Sequence, residues 1–323
     1  MKDFAGKIAV ITGGGTGMGR ELARQLVAEG CNVAMCDVSA ENMAETKRLC
    51  EAGRLPQGLR ITTHIADVSD EAQVKRFRDE VERQQNADHV NLVFNNAGIG
   101  GGGSMIDNSR EQWERTFNIC WGGVYLCTRA FLPMLMKSTE GHLVNTSSVN
   151  GFWATIGPGT PHTAYSAAKF AVKGFTEALI TDLRLNAPHV KCSVVMPGHI
   201  GTSIVVNSRK IQTGGQYDKL NADELRSART RLRAAGVDEA RMSDEDIQKA
   251  SVERARRFLE EAPTSAAEAA KIILDGVKAE RWRILVGKDA EVLDQRVRQT
   301  PEQAYEGDFY KSFVDAVGFR VGR

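Results

Sequence analysis

Short apolar runs of strand length alternate along the chain with longer segments in which apolar residues recur at helical spacing. The apolar runs predict strands at residues 8–12, 32–36, 60–65, 91–95, 142–146, 191–195 and 282–286. The amphipathic segments predict helices at residues 17–29, 40–52, 70–85, 110–137, 165–185 and 265–280. This alternation predicts a doubly wound parallel α/β sheet of seven strands, with helices on both faces and a ligand crevice at the carboxyl ends of the strands.

Residues 203–263 interrupt this rhythm with a strongly charged stretch. Apolar residues still recur there at helical spacing, which predicts a helical insertion within a single domain that spans residues 1–323. The last segment, 287–323, is polar and is predicted to be a tail. Its aromatic residues are candidates for docking it on the domain: Tyr305, Phe309, Tyr310, Phe313 and Phe319.

Charge and cysteine content narrow the classes of partner. The chain has 42 lysines and arginines against 41 aspartates and glutamates, a net charge of +1 with the signs interspersed, so no face for nucleic acid is expected. The six cysteines form no Cys-x-x-Cys pair, so neither a metal site nor a disulfide framework is expected. Without a signal-peptide pattern or an apolar run of about 18 residues, we expect a cytoplasmic protein that does not enter a membrane.

A glycine-rich stretch, Thr12 to Gly19, lies where the first predicted strand meets the first helix. Glycines allow a tight turn and close approach of a pyrophosphate, and the helix presents unpaired N–H groups to that anion. Asp37 ends the second strand, 24 residues after Gly13, where a carboxylate can accept hydrogen bonds from ribose hydroxyls. The same charge would repel a 2′-phosphate, which points to NAD rather than NADP. The alternative is that Asp37 only caps the helix that begins near Ala40.

Two further strand ends carry candidate cofactor contacts. Asp67 and Val68 follow the third strand and either flank an adenine ring or only begin the next helix. Asn95, Ala97 and Gly98 close the fourth strand, where an asparagine amide and small residues could tie strands together and leave room for a ribose. The stretch of residues 95–98 could also be only a turn.

Tyr165 and Lys169 lie four residues apart and share one face of a predicted helix, and Ser148 follows the fifth strand. A nearby ammonium group favours phenolate, so we expect Lys169 to lower the pKa of Tyr165 from its usual value of about 10. Tyr165 would then act as a general acid or base, and Ser148 would hydrogen-bond the substrate oxygen. Taken alone, a Tyr-x-x-x-Lys pattern is more often a solvated helix face.

With these motifs in this order, the sequence resembles the short-chain dehydrogenase/reductase family from about residue 7 to residue 202, and more weakly between residues 265 and 287. The resemblance implies that Ser148, Tyr165 and Lys169 are catalytic and that the cofactor is NAD(H). The implied cofactor site consists of Gly13, Thr16, Gly17, Met18, Gly19, Asp37, Val38, Asp67, Val68, Asn95, Ala97, Gly98, Tyr165, Lys169, Pro197, Gly198, Ile200 and Thr202.

The sequence departs from the family at Cys120, where relatives usually carry an asparagine that helps to hold a water in a proton relay. Asn118 lies about 200° away around the helix and is a poor substitute. We therefore expect a relay that uses a backbone carbonyl and a water. A lengthened loop makes Trp153 and His162 candidates for substrate contact or merely parts of a surface turn, and His199 either contacts substrate or packs.

The insertion occupies the place where relatives carry a substrate lid. Ile204, Val205 and Val206 are expected to form an apolar wall, which favours a bulky hydrophobic secondary alcohol or ketone as the substrate. Two other functions stay open: a non-catalytic NAD(H)-sensing or scaffold protein, and a non-redox epimerase or lyase. The long helices at residues 110–137 and 165–185 are apolar on more than one side, so a homodimer or homotetramer is expected.

Overall fold

A seven-stranded parallel sheet lies at the centre of the computed structural model, which describes residues 1–53, 58–157, 160–214, 219–234 and 236–318. The strands follow the order β3-β2-β1-β4-β5-β6-β9. They are β1 (Ile8–Thr12), β2 (Asn32–Asp37), β3 (Ile61–Ile65), β4 (Leu92–Asn95), β5 (Gly141–Thr146), β6 (Val190–Pro197) and β9 (Arg283–Val286). Two short strands, β7 (Ile200–Gly201) and β8 (Thr264–Ser265), pair separately. The predicted fold class is confirmed.

Helices cover both faces of this sheet. In chain order they are α1 (Gly17–Ala28), α2 (Ala40–Glu51), α3 (Glu71–Gln85), α4 (Arg110–Phe117), α5 (Gly123–Lys137), α6 (Thr163–Asn186), α7 (Ile204–Thr213), α8 (Ala222–Ala234), α9 (Asp244–Glu260), α10 (Ala266–Lys278), α11 (Lys288–Gln299) and α12 (Gly307–Val317). Along β1, Ala9 and Ile11 pack into one core layer, whereas Ile8 and Val10 pack into the other. Burial on both sides explains why the strands are continuous apolar runs.

The helix predicted at residues 110–137 is divided in its middle. A π-helical turn, Asn118–Gly122, separates α4 from α5. Such turns insert an extra residue into the hydrogen-bond ladder and often occur at functional sites. Among the described helices, Arg110–Lys137 is long and apolar enough to cross a membrane by length and composition, but half of its most apolar window is buried in the fold, as in the core helix of a soluble protein.

The predicted polar tail instead folds into two helices, α11 and α12. Phe309 and Phe313 of α12 are buried and enclose the indole of Trp153. Tyr310 stacks on the same indole, and the Tyr305 hydroxyl accepts a hydrogen bond from the backbone of Ala154. The fifth predicted docking residue, Phe319, lies outside the described residues. The charged faces of these helices hid their amphipathic spacing in the sequence.

Candidate active site

The carboxyl ends of β1, β4, β5 and β6 meet beside a cavity of about 920 Å³. Ser148 follows β5, Tyr165 and Lys169 project from the first turns of α6, and Pro197 to Thr202 follow β6. The cavity wall includes Ser148, Tyr165, Lys169, Met18, Gly98, Pro197, Gly198, Ile200 and Thr202. The fold therefore brings together residues that stand up to 184 positions apart in the chain (202 − 18 = 184).

The glycine-rich turn is packed too closely for larger residues. Gly13 has φ +66°, and a Cβ there would lie 2.9 Å from the Cα of Ala97. A Cβ on Gly19 would lie 2.0 Å from the carbonyl oxygen of Gly13. Gly17 has φ +53° and faces the methyl group of Thr202 across the opening of the cavity. A larger residue at any of these three positions would require a neighbouring group to move, so the close packing of the turn depends on glycine.

The N-terminus of α1 is available to an anion. Its N-cap residue, Thr16, makes no side-chain capping bond, so the first N–H groups of the helix lack a side-chain partner. The Thr16 hydroxyl instead accepts a hydrogen bond of 3.1 Å from the Asn207 amide on α7. The residues present therefore fit a dinucleotide pyrophosphate at this helix end.

The Asp37 carboxylate holds the glycine-rich turn from the second strand. It accepts hydrogen bonds from the backbone N–H groups of Gly15 and Ser39, each at 3.0 Å. The cap of α2 is Ser39, whose side chain accepts from the backbone of Asn42, so the alternative that Asp37 only caps this helix is wrong. The neighbouring Val38 side chain is 51% exposed.

Arg20 and Thr46 also support this turn, and the sequence reasoning missed both. The Arg20 guanidinium donates to the Gly15 carbonyl oxygen at 2.7 and 3.1 Å, and the Thr46 hydroxyl donates to the same oxygen at 3.0 Å. Arg20 also bonds to Thr46 and to the Asn42 carbonyl. The sequence signal that could have indicated Arg20 is its position, one residue after the last glycine of the motif, Gly19.

The third strand end serves a local structural role. The Asp67 carboxylate accepts hydrogen bonds from the backbone and hydroxyl of Ser69, while Asp70 caps α3. The start of this helix was predicted at Asp70, which is confirmed to within one residue, and Asp67 lies in the turn that leads into it. Val68 is buried, and a Cβ on Gly123 of α5 would lie 2.6 Å from its side chain. Val68 thus packs against α5, and its contact with an adenine ring stays a prediction.

Asn95 ties strands together and does not reach the cavity. Its amide donates to Thr128 and to Asn145 of the neighbouring β5, at 3.0 and 2.8 Å. Both amide hydrogens of Asn95 thus serve the strand-tying role that was one of its two predicted roles, and its cofactor contact stays a prediction. The next residue, Asn96, which the sequence reasoning did not single out, lines the cavity and donates to the carbonyls of Thr12 and Gly13.

The catalytic candidates lie within contact of one another. The Lys169 ammonium is 5.4 Å from the centre of the Tyr165 ring and donates a hydrogen bond of 2.9 Å to the Thr146 carbonyl. The Ser148 hydroxyl lies within hydrogen-bonding reach of the Tyr165 hydroxyl. Ser147 fixes α6 against the end of β5 by donating to the Lys169 carbonyl at 2.7 Å.

Burial opposes the lowering of the Tyr165 pKa that Lys169 was expected to cause. Burial raises the pKa of Tyr165, the neighbouring Cys120 adds to the rise, and only the hydrogen bond with Ser148 opposes it. Burial likewise lowers the pKa of Lys169. Desolvation of both groups outweighs their attraction, so the neutral phenol is the favoured form in this enclosed site.

Cys120 lies fully buried in the π-helical turn. Its thiol donates to the Ile99 carbonyl at 3.1 Å and accepts from the Ile99 N–H at 3.4 Å. A Cβ on Gly98 would lie 3.6 Å from this sulfur and 3.5 Å from the Lys169 nitrogen. The thiol therefore binds both backbone groups of the loop that borders Lys169.

The three candidate substrate residues have different surroundings. The His162 ring lies 4.7 Å from the Tyr165 ring on the cavity wall, and burial, aided by the charge of Arg254, lowers its pKa to about 4. Trp153 is 2% exposed and donates its indole N–H to the Ala304 carbonyl, so it mainly anchors the C-terminal helices. The loop between them includes residues 158–159, which lie outside the described residues.

His199 packs and holds the loop after β6. Its ring stacks against Phe258 with centres 4.3 Å apart, its Nε2 lies 2.9 Å from the Phe258 carbonyl, and its backbone N–H donates to Asp289. His199 also lines the cavity, so its contact with substrate stays a prediction beside this packing role. No group of three histidine, cysteine, aspartate or glutamate side chains comes together for a metal ion in the described ranges, and the six cysteines are free and buried.

Comparisons with known proteins agree with this architecture. The chain is 38% identical over 208 residues to SadH of Mycobacterium tuberculosis, covering 64% of this chain and 72% of that protein. It is 36% identical over 179 residues to a meso-2,3-butanediol dehydrogenase of Serratia marcescens, covering 55% of this chain and 66% of the dehydrogenase. A solved short-chain dehydrogenase/reductase of Burkholderia phymatum, in complex with NAD, has a TM-score of 0.75 and 26% identity, covering 94% of this chain and 96% of that one.

The family model for short chain dehydrogenases matches residues 7–213, which contain the glycine-rich turn, the Asn95 to Gly98 turn and all three catalytic candidates. The resemblance drawn from the sequence is thereby confirmed. The chain belongs to the short-chain dehydrogenase/reductase family of oxidoreductases, whose members use a nicotinamide cofactor.

Proposed function

We propose that this protein is an NAD(H)-dependent oxidoreductase that interconverts an alcohol, in the favoured case a secondary alcohol, and the corresponding ketone or aldehyde. The observation that carries the proposal is the convergence of Ser148, Tyr165 and Lys169 on the one cavity that also reaches the glycine-rich turn at Met18. A nicotinamide cofactor bound in that cavity would supply or accept the hydride. The side chains of the protein itself would transfer the proton at the substrate oxygen.

The raised pKa of Tyr165 suits proton donation. In the reductive direction, the neutral phenol gives its proton to the carbonyl oxygen as the alcohol forms, and in the oxidative direction the phenolate takes the alcohol proton. Ser148, beside that hydroxyl, donates a hydrogen bond to the same substrate oxygen. Lys169 places a positive charge against the ring of Tyr165 and stabilises the phenolate once the proton has left. Positioned acid or base catalysis of this kind contributes about 10² to 10⁴ in rate.

The preference for NAD over NADP rests on Asp37. Its carboxylate is held next to the glycine-rich turn by Gly15 and Ser39, where it would accept from ribose hydroxyls and repel a 2′-phosphate. Arg20, the nearby cation, already donates to Gly15, Thr46 and Asn42.

Apolar residues border the space beside Tyr165. Ile204 and Val205 line the cavity as expected, whereas Val206 lies off its wall. These side chains support a bulky substrate with a hydrocarbon part. Self-association as a homodimer or homotetramer is part of the same proposal, since Tyr125 of α5 and Phe170 of α6 expose apolar area.

The decisive experiment is Tyr165→Phe, with Tyr125→Phe as the control at an exposed tyrosine. NADH consumption is measured over a panel of ketones and aldehydes, and NADH binding is measured by fluorescence titration. We expect Tyr165→Phe to abolish turnover and keep NADH binding, while the control changes neither. Wild-type protein that binds NADH without turnover would indicate a sensor or scaffold, and product formation without net NADH change would indicate an epimerase or lyase.

A further inference from the structure

The C-terminal segment contributes a buried carboxylate to the cavity from outside residues 7–213, the part of the chain that the family model matches. Asp289 lies in the first turn of α11, is 3% exposed and lines the same cavity as Tyr165 and Lys169. Its Oδ2 accepts a hydrogen bond of 2.6 Å from the backbone N–H of His199, in the loop after β6. A side chain of the C-terminal segment therefore holds the backbone of a loop in the candidate site.

Two glycines leave room for this carboxylate, one in the loop after β6 and one before α11. A Cβ on Gly198 would collide with the Asp289 carboxylate. Gly287 has φ +100°, and a Cβ there would lie 2.5 Å from Oδ1 of Asp289. Because a larger residue at either position would displace the carboxylate from the His199 N–H, the contact depends on glycine on both sides.

The same loop is also held by backbone contacts on either side of His199. The N–H of Gly198 donates to the Val286 carbonyl at 2.9 Å, and β7, which begins one residue after His199, pairs with β8. Burial raises the pKa of Asp289, whereas hydrogen bonds from the backbone of His199 and of Ala290 oppose that rise. The Asp289 carboxylate therefore links the loop after β6 to the first turn of α11.

The strand order places this loop at one end of the proposed cofactor site. Asp37, the proposed ribose acceptor, ends β2, and the glycine-rich turn follows β1. The strands stand in the order β2-β1-β4-β5-β6, so a dinucleotide that begins at Asp37 would extend over β4 toward β5 and β6. Hydride transfer beside Tyr165 requires the nicotinamide half at that far end. The loop after β6 would thus border the nicotinamide half, whereas Asp37 and the glycine-rich turn would border the ADP-ribose half.

We propose that Asp289 is a positioning residue for the nicotinamide half of the cofactor, acting through the His199 N–H on the loop after β6. This inference rests on the proposed function for the cofactor and its orientation. Without the carboxylate, the loop would spend less time in the position that binds the cofactor, and the apparent affinity would fall in the same proportion. The ADP-ribose half, at the other end of the site, would bind as before.

The test measures by calorimetry the affinity for NADH and for ADP-ribose, which is the same molecule without its nicotinamide ring. In Asp289→Ala the His199 N–H loses its acceptor, so we expect the Kd for NADH to rise roughly tenfold and the Kd for ADP-ribose to stay unchanged. Asp289→Asn keeps an acceptor oxygen and should restore most of the NADH affinity. Gly287→Ala, at a residue off the cavity wall, should displace the carboxylate and give the same selective loss.

The matched control is Asp294→Ala. Asp294 is a second buried carboxylate of α11, but it pairs with Arg283 and Arg298 and lies off the cavity wall. Its loss should lower the stability to denaturant and leave both affinities unchanged.

Several results would overturn the inference: equal weakening of NADH and ADP-ribose binding in Asp289→Ala, unchanged NADH affinity in that variant, a loss in Asp289→Asn as large as in Asp289→Ala, or the same selective loss in the control. If Asp289→Ala does not fold, Gly287→Ala decides the question by the same comparison. All of these measurements are made without turnover, so they report on Asp289 even if no substrate is found. Failure of the proposed function would instead appear as wild-type protein that binds NADH and catalyses no reaction.

Discussion

Removing the thiol of Cys120 tests whether the residue at the usual asparagine position supports the catalytic lysine. In Cys120→Ala, the carbonyl and N–H of Ile99 lose the sulfur that contacts them at 3.1 and 3.4 Å. Ile99 is buried, so these backbone groups would lack water as a substitute. A buried polar group left without a partner costs about 1–3 kcal/mol. Because sulfur is a weak hydrogen-bonding atom, we expect a loss of about 2 kcal/mol in the free energy of unfolding for the two groups together.

The effect on turnover follows from the neighbouring loop. Gly98, which precedes Ile99, borders both the Lys169 nitrogen and the Cys120 sulfur. Loosening this loop lets Lys169 move relative to Tyr165, so we expect kcat to fall by about tenfold, the scale at which small misplacement of catalytic groups is felt. Cys120→Asn offers both a donor and an acceptor to Ile99 and should keep most of the activity.

The control is Cys127→Ala. Cys127 is also buried on the adjoining α5, but it makes no hydrogen bond among the described residues, so its loss removes packing alone. Denaturant unfolding gives the stability, and NADH-dependent reduction across a range of pH gives kcat. If Cys120→Ala behaves like Cys127→Ala in both measurements, Cys120 has no positioning role.

Three further outcomes are expected. Asp37→Ser should weaken NADH binding about tenfold and improve NADPH binding, because it removes both a ribose acceptor and a repulsive charge; an unchanged ratio in fluorescence titrations would contradict the assigned preference. Phe313→Ala should cost about 3–5 kcal/mol, or release α12 to hydrogen exchange, because its ring is 1% exposed against Trp153, whereas Val317→Ala near the helix end should cost less. Burial lowers the pKa of His142 to about 4, so its stabilising contribution is complete above pH 6.5 and is lost as pH falls toward 4. The free energy of unfolding of His142→Gln should therefore fall less steeply between pH 6.5 and pH 4 than that of the wild-type protein. Equal slopes for the two proteins over this interval would refute the prediction.

The strand and helix order, the glycine-rich turn and the catalytic candidates were accessible from the sequence. Each depends on local spacing: apolar runs of strand length, glycines at positions that need positive φ, and two side chains on one turn of α6. The helices of the C-terminal segment were missed, because their apolar positions are few. The role of these positions becomes clear only when they are seen to pack against Trp153. The strand-tying hydrogen bonds of Asn95 and the burial of Val68 against α5 depend on the direction of each side chain, which a motif does not specify.

The sequence by itself determined the doubly wound sheet, the dinucleotide turn and the pairing of Tyr165 with Lys169, because those features are encoded within a few consecutive residues. Only the tertiary structure decided the surroundings of Tyr165 and which side chains of the insertion line the cavity. Both depend on burial, which arises from packing between elements far apart in the chain. In this site, the desolvation of Tyr165 and Lys169 outweighs the attraction between phenol and ammonium. The helices α8 and α9 look uniformly charged in sequence, but one part of their surface faces solvent and another part faces the cavity.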